Sequence, residues 1–192
     1  MTHPFDARPI VVAIAGPNGA GKSTFYEVHM RSAGLRFVNA DELARETGID
    51  AYEAARLADN VRRQLLASRE SFVFETVFSD PTGEKLSFLH EATDAGYTVV
   101  LCYIGLESAD LSDQRVAMRV MQGGHDVPPD KIKERFPRTL ENLGRALREL
   151  PFVLVFDNSD LRTPYRKVLE LHEGKLVFES APLPSWLVQP VR

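Results

Sequence analysis

The sequence has one cysteine, and it lacks a secretion signal, a long apolar run and an excess of basic residues. Because Cys102 stands alone, an internal disulfide and a multi-cysteine metal site are excluded, and its apolar surroundings predict a buried thiol. The amino terminus, MTHPFDARP, has no basic start followed by an apolar segment, and no apolar run approaches the roughly 18 residues of a membrane span. We therefore expect a cytoplasmic protein that does not enter a membrane.

The charge balance argues against a polyanionic partner. The formal net charge is −4 and the sequence pI is about 5.8, so overall attraction to nucleic acid or to an anionic membrane is not expected. The chain has 192 residues, 44% of them hydrophobic. This composition is typical of a globular protein, and no linker divides it, so residues 1–192 are expected to form a single domain.

Apolar runs alternate with segments of helical periodicity. Five runs have the character of buried strands: PIVVAIAG, LRFVNA, SFVFETVFS, YTVVLCYIGL and PFVLVFDNS. The helices between them predict an α/β fold with three layers and a five-stranded, mostly parallel sheet. After the fifth strand, YRKVLELHEGKLVFES predicts a β-hairpin that turns at Glu173-Gly174. The hairpin and a proline-rich tail with an exposed-looking Trp186 occupy about residues 165–192.

Several helix boundaries can also be predicted. Gly34 is expected to end a helix that begins at Lys22. Asp50 and Glu53 have the spacing of a capping box, and they precede a helix with one apolar face. That face comprises Leu57, Val61 and Leu65. The longest predicted helix, PPDKIKERFPRTLENLGRALREL, contains Pro137, which is expected to kink it.

The glycine-rich segment after the first strand predicts a phosphate-binding loop. Its sequence, GPNGAGKS, fits G-x-x-x-x-G-K-[ST] without a mismatch, and it lies between a buried strand and a helix. In such a loop successive backbone N–H groups and a helix N-terminus face one anion. Lys22 is expected to bridge the β- and γ-phosphates of ATP, and Ser23 to ligate Mg²⁺. The predicted nucleotide-binding residues are Gly16, Pro17, Asn18, Gly19, Ala20, Gly21, Lys22, Ser23 and Thr24.

Polar residues at the ends of other strands predict the rest of the site, because ligands of open α/β sheets bind at the carboxyl ends of the strands. Asp41 is the candidate general base for an acceptor hydroxyl, and as an alternative it caps the following helix. Glu75 is a candidate ligand of Mg²⁺ through water or a contact to the acceptor, and as an alternative it makes a structural hydrogen bond. Asn158 is a candidate contact to the nucleotide base, on the expectation that the fifth strand lies at the sheet edge.

Arginines are spaced along two predicted helices within residues 108–149, which we interpret as a lid over the phosphates. Arg119 and Arg135 are the candidates for stabilising charge in the transition state. Three further arginines lie on the same helices: Arg115, Arg138 and Arg145. The two helices are joined by QGGHDVPP, in which His125 is interpreted as a hydrogen-bonding residue and not as a metal ligand. A solvent-exposed charged face is the alternative for all of these residues.

Five segments, in their order along the chain, resemble the zeta toxin-like P-loop kinases over about residues 10–159. They are AGPNGAGKST, FVNADELA, SFVFETVFS, RVMQGGHDVPPDKIKERF and DNS. The resemblance implies a nucleotide-kinase-like P-loop fold, with ATP as phosphate donor and UDP-N-acetylglucosamine as acceptor. On that pattern Lys22 is the P-loop lysine, Asp41 the base and Arg119 and Arg135 the phosphate-binding arginines. Glu75 and Thr76 would be substrate contacts. An antitoxin protein would be the partner.

Three functions therefore remain open. The first is a small-molecule kinase, which Asp41 and the lid arginines favour. The second is a regulatory P-loop ATPase without an acceptor. The third is a nucleic-acid kinase or binder, against which the acidic pI and the absence of interleaved aromatic and basic residues argue.

Overall fold

The structure, a computed structural model, describes residues 4–123 and 126–187. The strands in these residues are β1 (Ile10–Ala15), β2 (Arg36–Val38), β3 (Phe72–Thr76), β4 (Thr98–Gly105), β5 (Phe152–Asp157), β6 (Arg166–His172) and β7 (Lys175–Glu179). The α-helices are α1 (Lys22–Phe25), α2 (Ala40–Thr47), α3 (Ala51–Ala67), α4 (Glu84–Asp94), α5 (Ala109–Met121) and α6 (Pro129–Glu149). His125 lies outside the described residues.

One sheet contains all seven strands, in the order β2-β3-β1-β4-β5-β6-β7. The five predicted strands are parallel, and β6 and β7 continue the sheet antiparallel to β5. The fold class is confirmed, but the expected edge position of β5 is wrong, because β6 pairs with its outer side. The hairpin adds two strands to the five, and its predicted turn is confirmed: Glu173 and Gly174 have φ of 49° and 69°.

Helices cover both faces of the sheet, so the molecule has the predicted three layers. Alternate residues of β1 enter two separate cores: Val11 and Ala13 lie in one, and Val12 and Ile14 in the other. A strand that is buried on both faces has no polar face, which explains the uninterrupted apolar run of β1. Cys102 is fully buried in β4, as expected. Among the described residues no helix is long and apolar enough to cross a membrane.

The predicted helix 22–33 changes its winding along its length. It begins as α1, widens to a π-helical turn at Tyr26–Met30 and tightens to a 3₁₀ turn at Arg31–Ala33. Gly34 ends it at φ 65°. The Asp50 side chain caps α3 by accepting bonds from the Tyr52 and Glu53 amides. The buried stripe of α3 lies beside the predicted one, because its members are Ala54, Ala58, Arg62 and Leu65.

The longest helix and the tail both pack against the sheet. α6 continues as one helix through Pro137, where the expected kink stays a prediction, and its carboxyl half packs Leu143 and Leu147 into the larger core. Trp186 is only 7% exposed. It lies in a 3₁₀ turn, Ser185–Leu187, and its Nε1 donates to Asp157 Oδ1 at 3.2 Å. Trp186 is therefore buried against the end of β5, although its surroundings in the sequence suggested an exposed side chain.

Candidate active site

The loop between β1 and α1 has three glycines with positive φ, and it admits no side chain at its start. Gly16 has a φ of 142°, and a Cβ built on it would lie 2.1 Å from the Ile104 carbonyl oxygen of β4. Carbonyl groups of the loop accept bonds from the surrounding protein: Ser112 Oγ donates to Asn18 O at 2.6 Å. The loop is thus fixed against β4 and α5.

The pairing of β3 with β1 places Glu75 beside this loop. In that register Ile14 and Ala15 of β1 lie opposite Glu75 and Thr76. Glu75 Oε2 accepts a hydrogen bond from Ser23 Oγ at 2.7 Å, and Glu75 Oε1 lies 3.7 Å from Lys22 Nζ. A hydroxyl, a carboxylate and an ammonium group, all predicted as site residues, therefore meet at the start of α1. The structural hydrogen bond weighed for Glu75 is present as well.

Lys22 is a buried cation, 6% exposed. Its Nζ donates to the Pro17 carbonyl at 3.0 Å. Burial lowers the pKa of Lys22, and the carboxylates of Glu75 and Asp41 act in the opposite direction. A buried ammonium with a lowered pKa gains from an anionic ligand, since the ligand's charge favours the protonated form.

This pKa shift predicts how nucleotide affinity depends on pH. Deprotonation of Lys22 removes its positive charge, and because its pKa is lowered from 10.5, the loss begins at a lower pH than for an exposed lysine. ATP affinity should fall as the pH rises through that lowered pKa, and binding there should take up a proton. Isothermal titration calorimetry in buffers of different ionisation enthalpy measures both. Lys22→Arg stays charged and should remove the pH dependence; an unchanged dependence in that variant would contradict the assignment to Lys22.

Asp41 is not the N-cap of α2. The cap is Asn39, whose Oδ1 accepts the Asp41 amide at 2.8 Å and whose Nδ2 donates to Glu75 Oε2 at 3.0 Å. Asp41 lies one residue into the helix, so its carboxylate is not used for capping. The alternative structural role weighed for Asp41 is therefore wrong, and Asn39 connects the acid of β3 with the start of α2.

Two cavities meet at Asn39 and Asp41. The β3 cavity has a volume of about 430 Å³. Its polar lining residues are Asn39, Asp41, Arg62, Glu75, Thr76, Ser79, Asp80, Lys85, Arg135 and Arg138. The α2 cavity has a volume of about 590 Å³. Its polar lining residues are Ser23, Asn39, Asp41, Glu42, Arg45, Asp50 and Arg119.

The structure thus brings most of the predicted site together and separates the two predicted lid arginines. Arg119 borders the α2 cavity, on the side of Ser23, and its charge acts on the pKa of Lys22. Arg135 borders the β3 cavity, with Arg138 beside it. Arg145 lies elsewhere, with its guanidinium against Gly83 and Glu149, and Arg115 Nη2 donates to the Ser159 carbonyl at 3.0 Å.

Several residues of the β3 cavity had no signal in the sequence. Arg62 is 4% exposed; its guanidinium contacts Asp59 and lies 4.9 Å from the Phe74 ring centroid. Burial lowers the pKa of Arg62 to about 10, which leaves it charged at neutral pH. Lys85 Nζ lies 2.8 Å from the same Asp59 carboxylate. A helix stripe of two alanines, one arginine and one leucine resembles an ordinary core face, so sequence periodicity did not identify Arg62.

Two residues that line the β3 cavity, Asp80 and Arg138, also have buried polar atoms without a hydrogen-bond partner. Both carboxylate oxygens of Asp80 and the Nε of Arg138 are buried and make no hydrogen bond with any described residue. Groups of this kind are rare in folded proteins and call for an explanation. The loop that carries Asp80 is held by Asn142 of α6, whose Nδ2 donates to the Phe78 and Asp80 carbonyls at 3.0 Å each.

The predicted base contact, Asn158, is 3% exposed. Its Nδ2 donates to the Ala20 carbonyl at 2.8 Å, and its Oδ1 accepts the Tyr165 amide at 3.2 Å. Both polar atoms of the side chain are therefore bonded to backbone. A base contact was expected because β5 was predicted to lie at the sheet edge. Since β5 is an interior strand, that reason no longer holds.

Comparison with known proteins places this geometry in a family. A model of the zeta toxin family matches residues 38–169, more than half of the chain. The match begins after the phosphate-binding loop, so that loop is supported by its motif and geometry. An uncharacterised protein of Haemophilus influenzae is 25% identical over 126 residues, which cover 63% of this chain and 88% of that protein.

Solved structures agree on the fold. AvrRxo1-ORF1:-ORF2 with ATP aligns with a TM-score of 0.72 at 20% identity, over 97% of this chain and 65% of that chain. The PezAT toxin–antitoxin system of Streptococcus pneumoniae aligns with a TM-score of 0.58 at 17% identity, over 83% of this chain and 71% of that chain. These likenesses show the fold, and the family match over residues 38–169 shows that the chain belongs to the zeta toxin family.

Proposed function

We propose that this protein is a kinase that transfers the γ-phosphate of ATP to a hydroxyl group of a small metabolite. The observation that carries the proposal is the position of Asp41. It borders both cavities, is free of a capping role, and acts on the pKa of Lys22 in the phosphate-binding loop. A carboxylate that is accessible from an acceptor cavity and close to the phosphate site is what a general base requires.

The loop fits a triphosphate in shape and in charge. At Gly16 the backbone approaches β4 so closely that only glycine fits, and Lys22 supplies a buried positive charge. Residues Gly16–Thr24 would hold the phosphates through backbone N–H groups and the start of α1. The solved neighbour with ATP has the same fold, which supports ATP as the donor.

Ser23 and Glu75 fit a magnesium ion. Their oxygens lie 2.7 Å apart, and Mg²⁺ prefers oxygen ligands and keeps several waters, so that one or two protein ligands suffice. The described residues contain no group of three or more histidine, cysteine or acidic side chains suited to a metal, which is compatible with a magnesium ion that has only one or two protein ligands. When bound, the ion would neutralise negative charge on the phosphates.

The remaining side chains have defined tasks in this proposal. The acceptor oxygen forms a bond to the γ-phosphorus, the bond from that phosphorus to the β-phosphate oxygen breaks, and the acceptor proton passes to Asp41. Arg119, on the side of Ser23, and Arg135, on the side of the β3 cavity, would stabilise charge on the phosphoryl group from two directions. They lie on different helices, α5 and α6, so movement of the lid segment (residues 108–149) would change both contacts.

We place the acceptor in the β3 cavity. Glu75, Thr76 and Asp80 line it together with four cationic side chains, so the lining suits a ligand with both hydroxyl and anionic groups. UDP-N-acetylglucosamine, implied by the resemblance, carries both kinds of group. It is therefore the first acceptor to test.

The proposal predicts a phosphorylated product that depends on Lys22. Mass spectrometry of the protein with ATP, Mg²⁺ and UDP-N-acetylglucosamine should show the mass of one added phosphate on the sugar nucleotide. Lys22→Ala should abolish it, because the phosphates lose their cation. If no product forms, a metabolite extract with the same control identifies another acceptor. Hydrolysis of ATP without any phosphorylated metabolite would favour a regulatory ATPase instead.

The same family relation suggests a protein partner. Two of the solved neighbours are described as a complex of two open reading frames and as a toxin–antitoxin system, so an antitoxin-type protein belongs to this proposal. The matched chain of the AvrRxo1-ORF1:AvrRxo1-ORF2 complex is longer than this chain, which covers 65% of it. Expression from an inducible promoter, with Asp41→Asn as control, tests whether activity is toxic and therefore needs such a partner.

A further inference from the structure

We infer that Tyr165 is a positioning residue for the phosphate-binding loop and that it acts together with Asn158. Tyr165 lies between β5 and β6, 144 residues from the loop, and its hydroxyl donates to the Gly21 carbonyl at 2.9 Å. Asn158 donates to the preceding carbonyl, Ala20, at 2.8 Å. The inference rests on the proposed binding of a triphosphate and assigns a residue that the phosphate-binding motif does not contain.

Two consecutive peptide groups are fixed by these bonds. A trans peptide holds its C=O and the next residue's N–H in one plane, on opposite sides. Because Asn158 holds the Ala20 carbonyl, it also orients the Gly21 N–H. The Gly21 carbonyl accepts the Phe25 N–H of α1 at 2.8 Å as well as the Tyr165 hydroxyl, so Tyr165 helps the helix to orient the Lys22 N–H. The anion-binding groups of the loop are therefore held by side chains on its outer side.

The position of Tyr165 is fixed by its own contacts. Its φ of 53° lies in the left-handed region, which is unfavourable for a residue other than glycine and persists only where the surroundings impose it. The Tyr165 amide donates to Asn158 Oδ1 at 3.2 Å. Its ring packs edge-on against Phe25 and His29, with centroids 5.3 and 5.6 Å away. The ring is thus fixed by the helix that the loop precedes.

Glycine at position 21 is part of the same arrangement. Gly21 has a φ of 87°, and a Cβ built there would lie 2.8 Å from the Tyr165 hydroxyl and 3.0 Å from Asn158 Nδ2. The absence of a side chain at Gly21 gives both donors access to the backbone. The second glycine of the motif therefore has a role on the outside of the loop as well as on the side of the phosphates.

Tripolyphosphate with Mg²⁺ distinguishes a loop-positioning role from a contact to the base, because it has no base. Tyr165→Phe removes the hydroxyl and keeps the ring. It should weaken ATP and tripolyphosphate equally, by about three- to tenfold, as expected for one hydrogen bond. Isothermal titration calorimetry measures both affinities. Amide NMR should show a changed chemical shift for the Lys22 N–H in Tyr165→Phe and for the Gly21 N–H in Asn158→Ala.

Tyr97→Phe is the matched control. The Tyr97 hydroxyl lies within hydrogen-bond distance of the Leu65, Leu66 and Glu70 carbonyls, at 3.1–3.2 Å and away from the loop. Its loss should therefore lower stability and leave both affinities unchanged. Unchanged affinities in Tyr165→Phe, or weakening of ATP alone, would overturn the inference. If the wild-type protein binds neither probe, the proposed function fails together with the inference.

Discussion

Asp41→Asn should lower the rate of phosphoryl transfer by about 10²–10⁴-fold, the usual contribution of a general base, while ATP affinity stays close to that of the wild type. The amide has nearly the shape of the carboxylate but cannot accept the acceptor's proton. The helix should be unaffected because Asn39, not Asp41, caps α2. Single-turnover rates with the acceptor found by mass spectrometry, beside calorimetric ATP affinity, test both parts.

Glu46→Gln is a suitable control for that variant. Glu46 lies on the same helix and is exposed, so the substitution removes an equal charge without touching either cavity. It should leave transfer unchanged. Full transfer activity in Asp41→Asn would refute the assignment of the base, whereas equal losses in both variants would indicate a general electrostatic effect of α2.

The predictable part of the site is the part that the backbone dictates locally. The phosphate-binding loop could be predicted because its glycines, Lys22 and Ser23 are consecutive and lie between a strand and a helix. Asp41 and Glu75 could be predicted because the carboxyl ends of parallel strands meet at one edge of a sheet. Both arguments need only the order of strands and helices.

The rest depends on distances that no local pattern encodes. Arg62 reaches the β3 cavity from a stripe that otherwise carries alanines and leucine. Tyr165 reaches Gly21 only because β6 pairs with β5 and turns the chain back towards the loop. The same pairing made the expected edge position of β5 wrong. The sequence of a hairpin is the same whether the hairpin stands alone or extends a sheet, so it does not show whether another strand pairs with β5.

Gly16→Ala should lower the free energy of unfolding by more than about 3 kcal/mol and abolish ATP binding. The added methyl group would lie 2.1 Å from the Ile104 carbonyl oxygen, and the φ of 142° is unfavourable for alanine. The obstacle is backbone in the middle of the sheet, where β4 is paired on both sides. β4 cannot move without breaking its hydrogen bonds to β1 or β5, so the strain cannot be relieved locally.

Gly105→Ala creates an equally short contact, but here the neighbouring group can move away. Its methyl group would lie 2.1 Å from the Trp186 ring, but that ring belongs to a short terminal turn, which can detach from the sheet. The expected loss is about 1–3 kcal/mol, with a red-shifted emission from Trp186, the chain's single tryptophan. Urea unfolding followed by fluorescence and circular dichroism compares the two variants. A Gly16→Ala protein as stable as the wild type, or less affected than Gly105→Ala, would contradict the close approach of the loop to β4, because only an immovable neighbour makes the first substitution the more costly one.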